Sequence, residues 1–330
     1  MSHRPSLIAP VLVLLAGCAD TDPETTAFTD LAGDEVSTRC VGCDWGPPIL
    51  NTHGLNGLEL SELDTTGALH DGWRLESVEL SQGRDSVYVI DPVWVEDGFL
   101  YGVDQYGDLH SGHEFVGSVW TVSLSIKPEQ PELGTTPWYM TITELIEEAD
   151  GRTRYTFANG PARFSEEAFN CQRDEETDEY TVVLFTNLHV DTVTGTHEER
   201  PDTIYFGCTS GAVGKAAMWG YAPHFAGDDA HQAATRAVRA DYCGDGNPWT
   251  QTGTALQITD AWDYNQFPNS GAATEAMWTT EGAACLMIPR RPEYEHDTVT
   301  CPGVGLLPFC ESEGDDLDAW PSALLWTKVW

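Results

Sequence analysis

The sequence predicts a β-rich α+β protein: an N-terminal antiparallel sandwich- or barrel-like part, then a disulfide-stapled α+β domain. Three observations carry this. Short segments of alternating apolar and polar residues, separated by Gly- and Asp-containing turns, recur between residues 75 and 190, as in half-buried antiparallel strands. After Cys208 the apolar spacing lengthens to that of helices. Eight cysteines lie downstream of residue 39, an even set that reads as a disulfide framework in an exported chain.

Residues 1–17 read as a bacterial lipoprotein signal peptide. Arg4 supplies the charged start, and Leu7 to Leu15 form an apolar run broken only by Pro10. That run is too short to span a bilayer and suits the core of a signal peptide. Leu15-Ala16-Gly17-Cys18 matches the lipobox, so cleavage before Cys18 and lipidation of its thiol are expected. Acyl chains there would hold the protein on a membrane. The expected address is extracytoplasmic, in a bacterial cell envelope, with the outer membrane favoured. Residues 18–48 read as an acidic flexible tether. Ala19 to Asp34 is rich in Asp, Thr, Glu and Ala and cannot repay its ordering entropy by burial.

Charge excludes one class of partner. The chain holds 16 Lys and Arg against 53 Asp and Glu, and nucleic-acid binding needs the opposite sign. The acids could attract calcium, but Asp104 to Asp108 and Gly314 to Asp318 lack the EF-hand spacing. Calcium is therefore left without a motif.

Residues 49–74 carry a five-residue echo: Leu50-Asn51-Thr52-His53-Gly54, Leu55-Asn56-Gly57-Leu58-Glu59, Leu60-Ser61-Glu62-Leu63-Asp64. Three degenerate units cannot form a solenoid alone and are expected to cap the next domain. Residues 75–164 form the β-rich domain. Phe115 to Leu124 alternates, with Val116, Trp120, Val122 and Leu124 on one face. Trp138, Met140 and Ile142 alternate likewise, and the turn at Glu148 to Gly151 precedes Arg154 to Phe157. Residues 165–330 form the α+β domain. They begin with the β-branched run Tyr180 to Thr186 and a short Ala-rich helix over Ala212 to Met218. A second helix is predicted from an Asp228 or Asp229 cap to about Tyr242, with Gly244 as its stop. Strands follow near Ala255 to Ile258 and Glu275 to Trp278.

The disulfide candidates are Cys40, Cys43, Cys171, Cys208, Cys243, Cys285, Cys301 and Cys310. Cys301 and Cys310 flank the turn-rich Pro302-Gly303-Val304-Gly305 and could close locally. Cys40 and Cys43 have CxxC spacing, but Trp45, Gly46, Pro47 and Pro48 do not open the helix a redox motif needs.

No catalytic or metal-binding constellation emerges, and no cofactor is implied. His110 and His113 lack a companion base. Gly211 to Lys215 faintly echoes a phosphate loop, but Ala216 stands where Ser or Thr is required. Trp219, Tyr221 and Trp249 border Gly and Pro turns and are candidate ring-stacking residues for a glycan.

The end of the second helix reads Arg239-Ala240-Asp241-Tyr242-Cys243-Gly244-Asp245-Gly246. Upstream lies Phe206 to Tyr221, and downstream come Glu275-Ala276-Met277-Trp278 and Glu281 to Leu286. This set resembles the ADYC-domain family of bacterial secreted proteins and lipoproteins, most clearly over residues 165–295. Where members often carry cysteines, this chain has Ala216-Ala217 and Ala233-Ala234, as if one disulfide were missing. The family implies no catalytic residue. On the signature Ala240, Asp241, Tyr242 and Cys243, it implies a capping acid, a core ring and a disulfide half. A Cys243 nucleophile with His231 as base is excluded, because twelve helical residues separate them by about 18 Å. The expected role is non-enzymatic, binding or structural, with an envelope protein or a glycan as partner. The alternatives are a glycan-binding module and an extracytoplasmic hydrolase.

Overall fold

The computed structural model describes residues 49–56, 60–82, 86–125, 134–161, 168–260, 262, 265, 272–310 and 320–330. Residues 1–48, on which the expected signal peptide, Cys18 and the expected tether with Cys40 and Cys43 fall, and the acidic run 314–318 lie outside the described residues.

The alternating segments pair into one large antiparallel sheet. Its strands are β2 (Glu62–Asp64), β3 (Trp73–Gln82), β4 (Ser86–Glu96), β5 (Phe99–Asp104), β6 (Leu109–Ser111), β7 (Val119–Ser125), β8 (Thr135–Glu147), β9 (Thr153–Gly160), β10 (Ala168–Phe169), β11 (Thr181–Val190) and β12 (His197–Cys208). Their order is β2-β12-β11-β9-β8-β7-β3-β4-β5-β6, with β10 on β9. The sheet curls until β4 meets β11 and β12. Inside it Trp120, Phe157 and Phe206 meet edge to face, with centroids 5.5 to 6.5 Å apart, an arrangement aromatic quadrupoles favour. Met140 and Ile142 are buried as predicted. Val116 and Leu124 are exposed: Val116 follows a 3-10 turn over Gly112–Phe115 and precedes the strand, which starts only at Val119, whereas Leu124 lies within β7.

The second layer is a five-stranded antiparallel sheet. Its strands are β1 (Ile49–Leu50), β13 (Ala255–Asp260), β14 (Ala273–Thr279), β15 (Gly282–Leu286) and β18 (Leu325–Val329), in the order β1-β13-β18-β14-β15. A small hairpin, β16 (Thr300–Cys301) with β17 (Gly305–Leu306), stands apart from it. Three helices connect the sheets: α1 (Ala212–Ala216), α2 (Pro223–Ala226) and α3 (Asp228–Arg239). α3 packs on β14 and β18, with Ala233, Ala234 and Ala237 fully buried against Leu256, Ile258 and Trp278. α1 continues into a π turn over Ala217–Tyr221. It lies so close to β12 that a Cβ on Gly214 would sit 2.3 Å from the Cys208 carbonyl oxygen, which is the physical reason for a Gly-Ala segment here.

Three expectations change. The division at 164/165 falls inside the large sheet, since β9 pairs with β11 through Thr156 and Thr181; packing changes only at the end of β12. The five-residue echo is not a separate cap. It straps the two sheets together, with β1 bonded to β13 and β2 to β12. Its asparagines supply the links: Asn51 accepts from Thr254 N–H at 2.8 Å. Asn56 donates to the Phe206 carbonyl and accepts from Cys208 N–H, both at 2.8 Å. Finally, α3 starts after Gly227, not at an Asp cap, which leaves Asp228 and Asp229 in its first turn, where the helix dipole favours them.

Among the described residues the disulfides are Cys171–Cys208, Cys243–Cys301 and Cys285–Cys310. Cys301 and Cys310 therefore do not close on each other. Each reaches back to an earlier element, Cys301 to the end of α3 and Cys310 to β15. Peptide mapping without reduction should recover these three linkages. Replacing both Cys243 and Cys301 by Ala opens a loop of 58 residues. Urea unfolding should then show a loss of about 4 kcal/mol in the chain-entropy picture.

Candidate functional site

The signature residues converge where α3 ends. Ala240 adopts a left-handed conformation with φ of 52°. Its N–H donates to the Ala237 carbonyl at 3.2 Å, and Asp241 N–H donates to that of Arg236 at 3.0 Å. This is a Schellman closure with alanine in the position glycine usually takes. The helix therefore stops at Ala240, not at Gly244. Gly244 serves another purpose, because a Cβ there would lie 1.9 Å from the Glu281 carbonyl oxygen. Only glycine lets the turn after the signature press against the β14–β15 turn.

The reversal buries Asp241 completely. Its Oδ2 accepts from Arg236 Nη1 at 2.6 Å and from Gly246 N–H at 3.0 Å. Burial raises its carboxyl above the usual range, and Arg236 opposes that shift. The same guanidinium donates to the Thr194 carbonyl, to Thr196 Oγ1 at 3.1 Å and to the Thr280 carbonyl at 3.3 Å. Arg236 so ties α3 to the β11–β12 turn of one sheet and the β14–β15 turn of the other. Arg239 extends the tie to the strap through the His53 carbonyl at 3.1 Å.

Tyr242 and Cys243 complete the closure. The Tyr242 ring stacks on Trp278 at 5.4 Å, and its hydroxyl donates to Glu275 Oε1 at 2.7 Å. Burial, then the Glu275 charge, pushes that phenol well above its ordinary value. Glu275 is bridged by Arg290, which donates to Oε1 at 2.9 Å and to Oε2 at 2.8 Å; both side chains are fully buried. Arg290 also donates to the Ala237 and Val238 carbonyls at 2.7 and 2.9 Å, adding a second donor to the Ala237 carbonyl already bonded by Ala240 N–H and a partner to the Val238 acceptor at the helix end. Sequence reading missed Arg290, which lies fifteen residues from Glu275 in a Pro-containing loop and fits no local motif.

The other candidates disperse. Trp219 is 1% exposed and Tyr221 0%. Tyr221 donates to Asp260 Oδ2 at 2.6 Å, so neither ring offers a face to a sugar. Trp249 is half-buried against Tyr294, with centroids 5.2 Å apart. Lys215, from the phosphate-loop echo, is buried in an ion pair with Asp174 at 2.8 Å. His110 sits between Asp104 and Glu114, whereas His113 is exposed beside Glu147. His231 is fully buried and donates from Nε2 to the Val213 carbonyl at 2.9 Å. Burial lowers its pKa to about 4. An open depression near the signature, about 570 Å³ in volume and lined in part by Asp229, Glu281, Trp320 and Leu324, does not include Asp241.

Elsewhere the fold gathers a set that no local motif announces. Glu62 on β2, His70 before β3 and His189 on β11 bring one ligand-type atom each to within 4.8 Å of one another. Glu62 Oε1 lies 2.7 Å from His189 Nδ1, and Oε2 lies 3.0 Å from His70 Nε2. Arg200 on β12 bonds the same Oε2 at 2.8 Å.

The fold and the signature define a disulfide-braced β-rich module whose diagnostic tetrapeptide closes a helix. The ADYC-domain family model matches residues 112–292, more than half the chain, and the protein belongs to that family. The match begins well before residue 165 and takes in the large sheet from the 3-10 turn before β7 onward. Comparison with curated proteins and with solved structures returns no match.

Two predictions follow from this geometry. Arg290→Met strands the Glu275 carboxylate in the core and should cost about 3–5 kcal/mol in denaturant unfolding, while Glu275→Leu with Arg290→Met should recover much of that loss. His231 has a folded pKa below its unfolded value of about 6.5. Its contribution is complete above pH 6.5 and is lost as pH falls toward 4. Its share amounts to about 3 kcal/mol, and His231→Gln should flatten the slope of unfolding free energy over that window.

Proposed function

We propose that the protein is a lipid-anchored, extracytoplasmic module of the bacterial envelope with a non-enzymatic role as a scaffold or binding partner. The observation that carries this reading is the use to which the family signature is put. Asp241 is consumed in an ion pair, Tyr242 in a stacked core contact and Cys243 in a disulfide. The residues that mark the family thus brace a fold. A nucleophile would need a free, accessible thiol, and a hydrolytic carboxyl would need to face a cavity.

The address rests on two supports. Three disulfides fit an oxidising compartment outside the cytoplasm, and Leu15-Ala16-Gly17-Cys18 supplies the lipidation signal. No helix among the described residues is long and apolar enough to cross a membrane, and the acyl chains are the anchor in this reading. An envelope protein is the preferred partner class, because the aromatic residues considered for glycan stacking are turned into the core or half-covered.

Intact mass of the protein from its native host, before and after reduction, tests both parts. A chain beginning at acylated Cys18 that gains at least six hydrogens on reduction supports the reading, and Cys18→Ser should then release it from the membrane fraction. An unmodified Cys18, or a free thiol at Cys243, would overturn it.

A further inference from the structure

We propose that Glu62, His70 and His189 form a binding site for a divalent transition-metal ion. Two of the three residues come from separate strands of the large sheet and the third from the turn before β3. Glu62 lies on β2, and its side chain is 3% exposed. His70 is held by reciprocal backbone bonds with Trp73 at 2.7 and 2.8 Å. His189 lies on β11, paired with Glu198 of β12. The backbone therefore fixes the donors before any ion arrives, as a preorganised site requires.

The two imidazoles face opposite oxygens of one carboxylate. Their rings are nearly perpendicular, with centroids 6.2 Å apart, so their nitrogens converge without stacking. A four-coordinate ion with bonds of about 2.0–2.2 Å holds its ligand atoms about 3.3 Å apart. The Glu62–His separations of 2.7 and 3.0 Å, one to each carboxylate oxygen, would open by a few tenths of an ångström, and the wider separations in the set, which reach no more than 4.8 Å, would close around the ion.

The contacts at His70 also conflict. Its Nε2 faces Glu62 Oε2 at 3.0 Å, Asp71 Oδ2 at 3.2 Å and the Arg200 guanidinium. One imidazole nitrogen either donates to a carboxylate or accepts from a guanidinium; it does not do both. A metal ion resolves this, because the His70 lone pair and the carboxylates would all point at the same positive charge. Arg200 then gives way. Its side chain is one-third exposed, so it can swing into solvent when the ion takes over neutralisation of Glu62.

The donor set also selects the ion. Two imidazoles and one carboxylate suit zinc, copper, nickel or iron, whereas calcium and magnesium take oxygen donors. Coordination positions not filled by these three would hold water, or Asp71, whose carboxylate is largely exposed beside His70. Residues 62, 70 and 189 are too scattered in sequence to show as a motif.

Calorimetry with zinc on the full chain, stripped with EDTA and with its disulfides intact, tests the site. One ion per chain is expected, together with a visible absorption spectrum when cobalt(II) replaces zinc. His70→Ala and His189→Ala should each weaken zinc binding by about tenfold or more. Both side chains are partly exposed, so circular dichroism should show these variants folded. Arg200→Gln, which removes the competing cation, should bind zinc at least as tightly as the parent chain. The proposal is overturned if neither the parent nor Arg200→Gln binds zinc at millimolar concentration. It is equally overturned if binding survives unchanged in the folded His70→Ala, His189→Ala double variant.

Discussion

The fully buried pair of Arg290 and Glu275 is the constraint on which the rest of the α+β layer depends. Taking two charges out of water costs several kcal/mol per ion, and attraction compensates only when every remaining hydrogen-bonding position is filled. Here the filling is extensive. Glu275 receives two bonds from Arg290 and one from Tyr242, while Arg290 reaches two carbonyls at the end of α3. Those partners can be supplied only if α3 ends where it does, β14 lies beneath it and Tyr242 turns inward onto Trp278. The pair thus couples one helix terminus, one strand and the signature turn into a single arrangement.

A second arginine does for the whole fold what Arg290 does for one layer. Arg236 reaches turns of both sheets and the buried Asp241, and Arg239 adds the N-terminal strap. The strap repeats the theme through amides, with Asn56 plugging the end of β12 and Asn51 meeting Thr254. The alanines of α3 make such short links feasible. With Ala233, Ala234 and Ala237 fully buried, the helix approaches the small sheet closely enough for carbonyls at its end to be capped from the loop after β15.

This use of cations bears on the surface as well. Lys215, Arg154, Arg236, Arg239 and Arg290 are all buried, drawn from only 16 basic residues against 53 acids. Among the described residues Glu62, Asp104, Asp174, Asp241, Asp260 and Glu275 are buried as well, so burial leaves the strongly negative balance of the chain in place, and that balance stands against a polyanionic partner. The same background makes the Glu62, His70 and His189 cluster distinctive, since it gathers imidazoles rather than more carboxylates.

Local pattern alone determined much of this protein. The alternating strands of the large sheet, the Ala-rich α3, the even cysteine set and the diagnostic tetrapeptide were all legible, because each depends on neighbours within a turn or a strand. The tertiary structure alone decided what those pieces touch. Cys301 and Cys310 look like a local pair, yet chain reversal takes them to Cys243 and Cys285. Trp219 and Tyr221 flank a glycine as surface rings often do, yet the π turn rotates them into the core. Arg290 has no local signature, and His70 and His189 are 119 residues apart in the chain. Periodicity reports which face of an element is apolar; which distant polar groups meet is set by the close packing of the elements, where an unpaired buried charge or amide costs too much to persist.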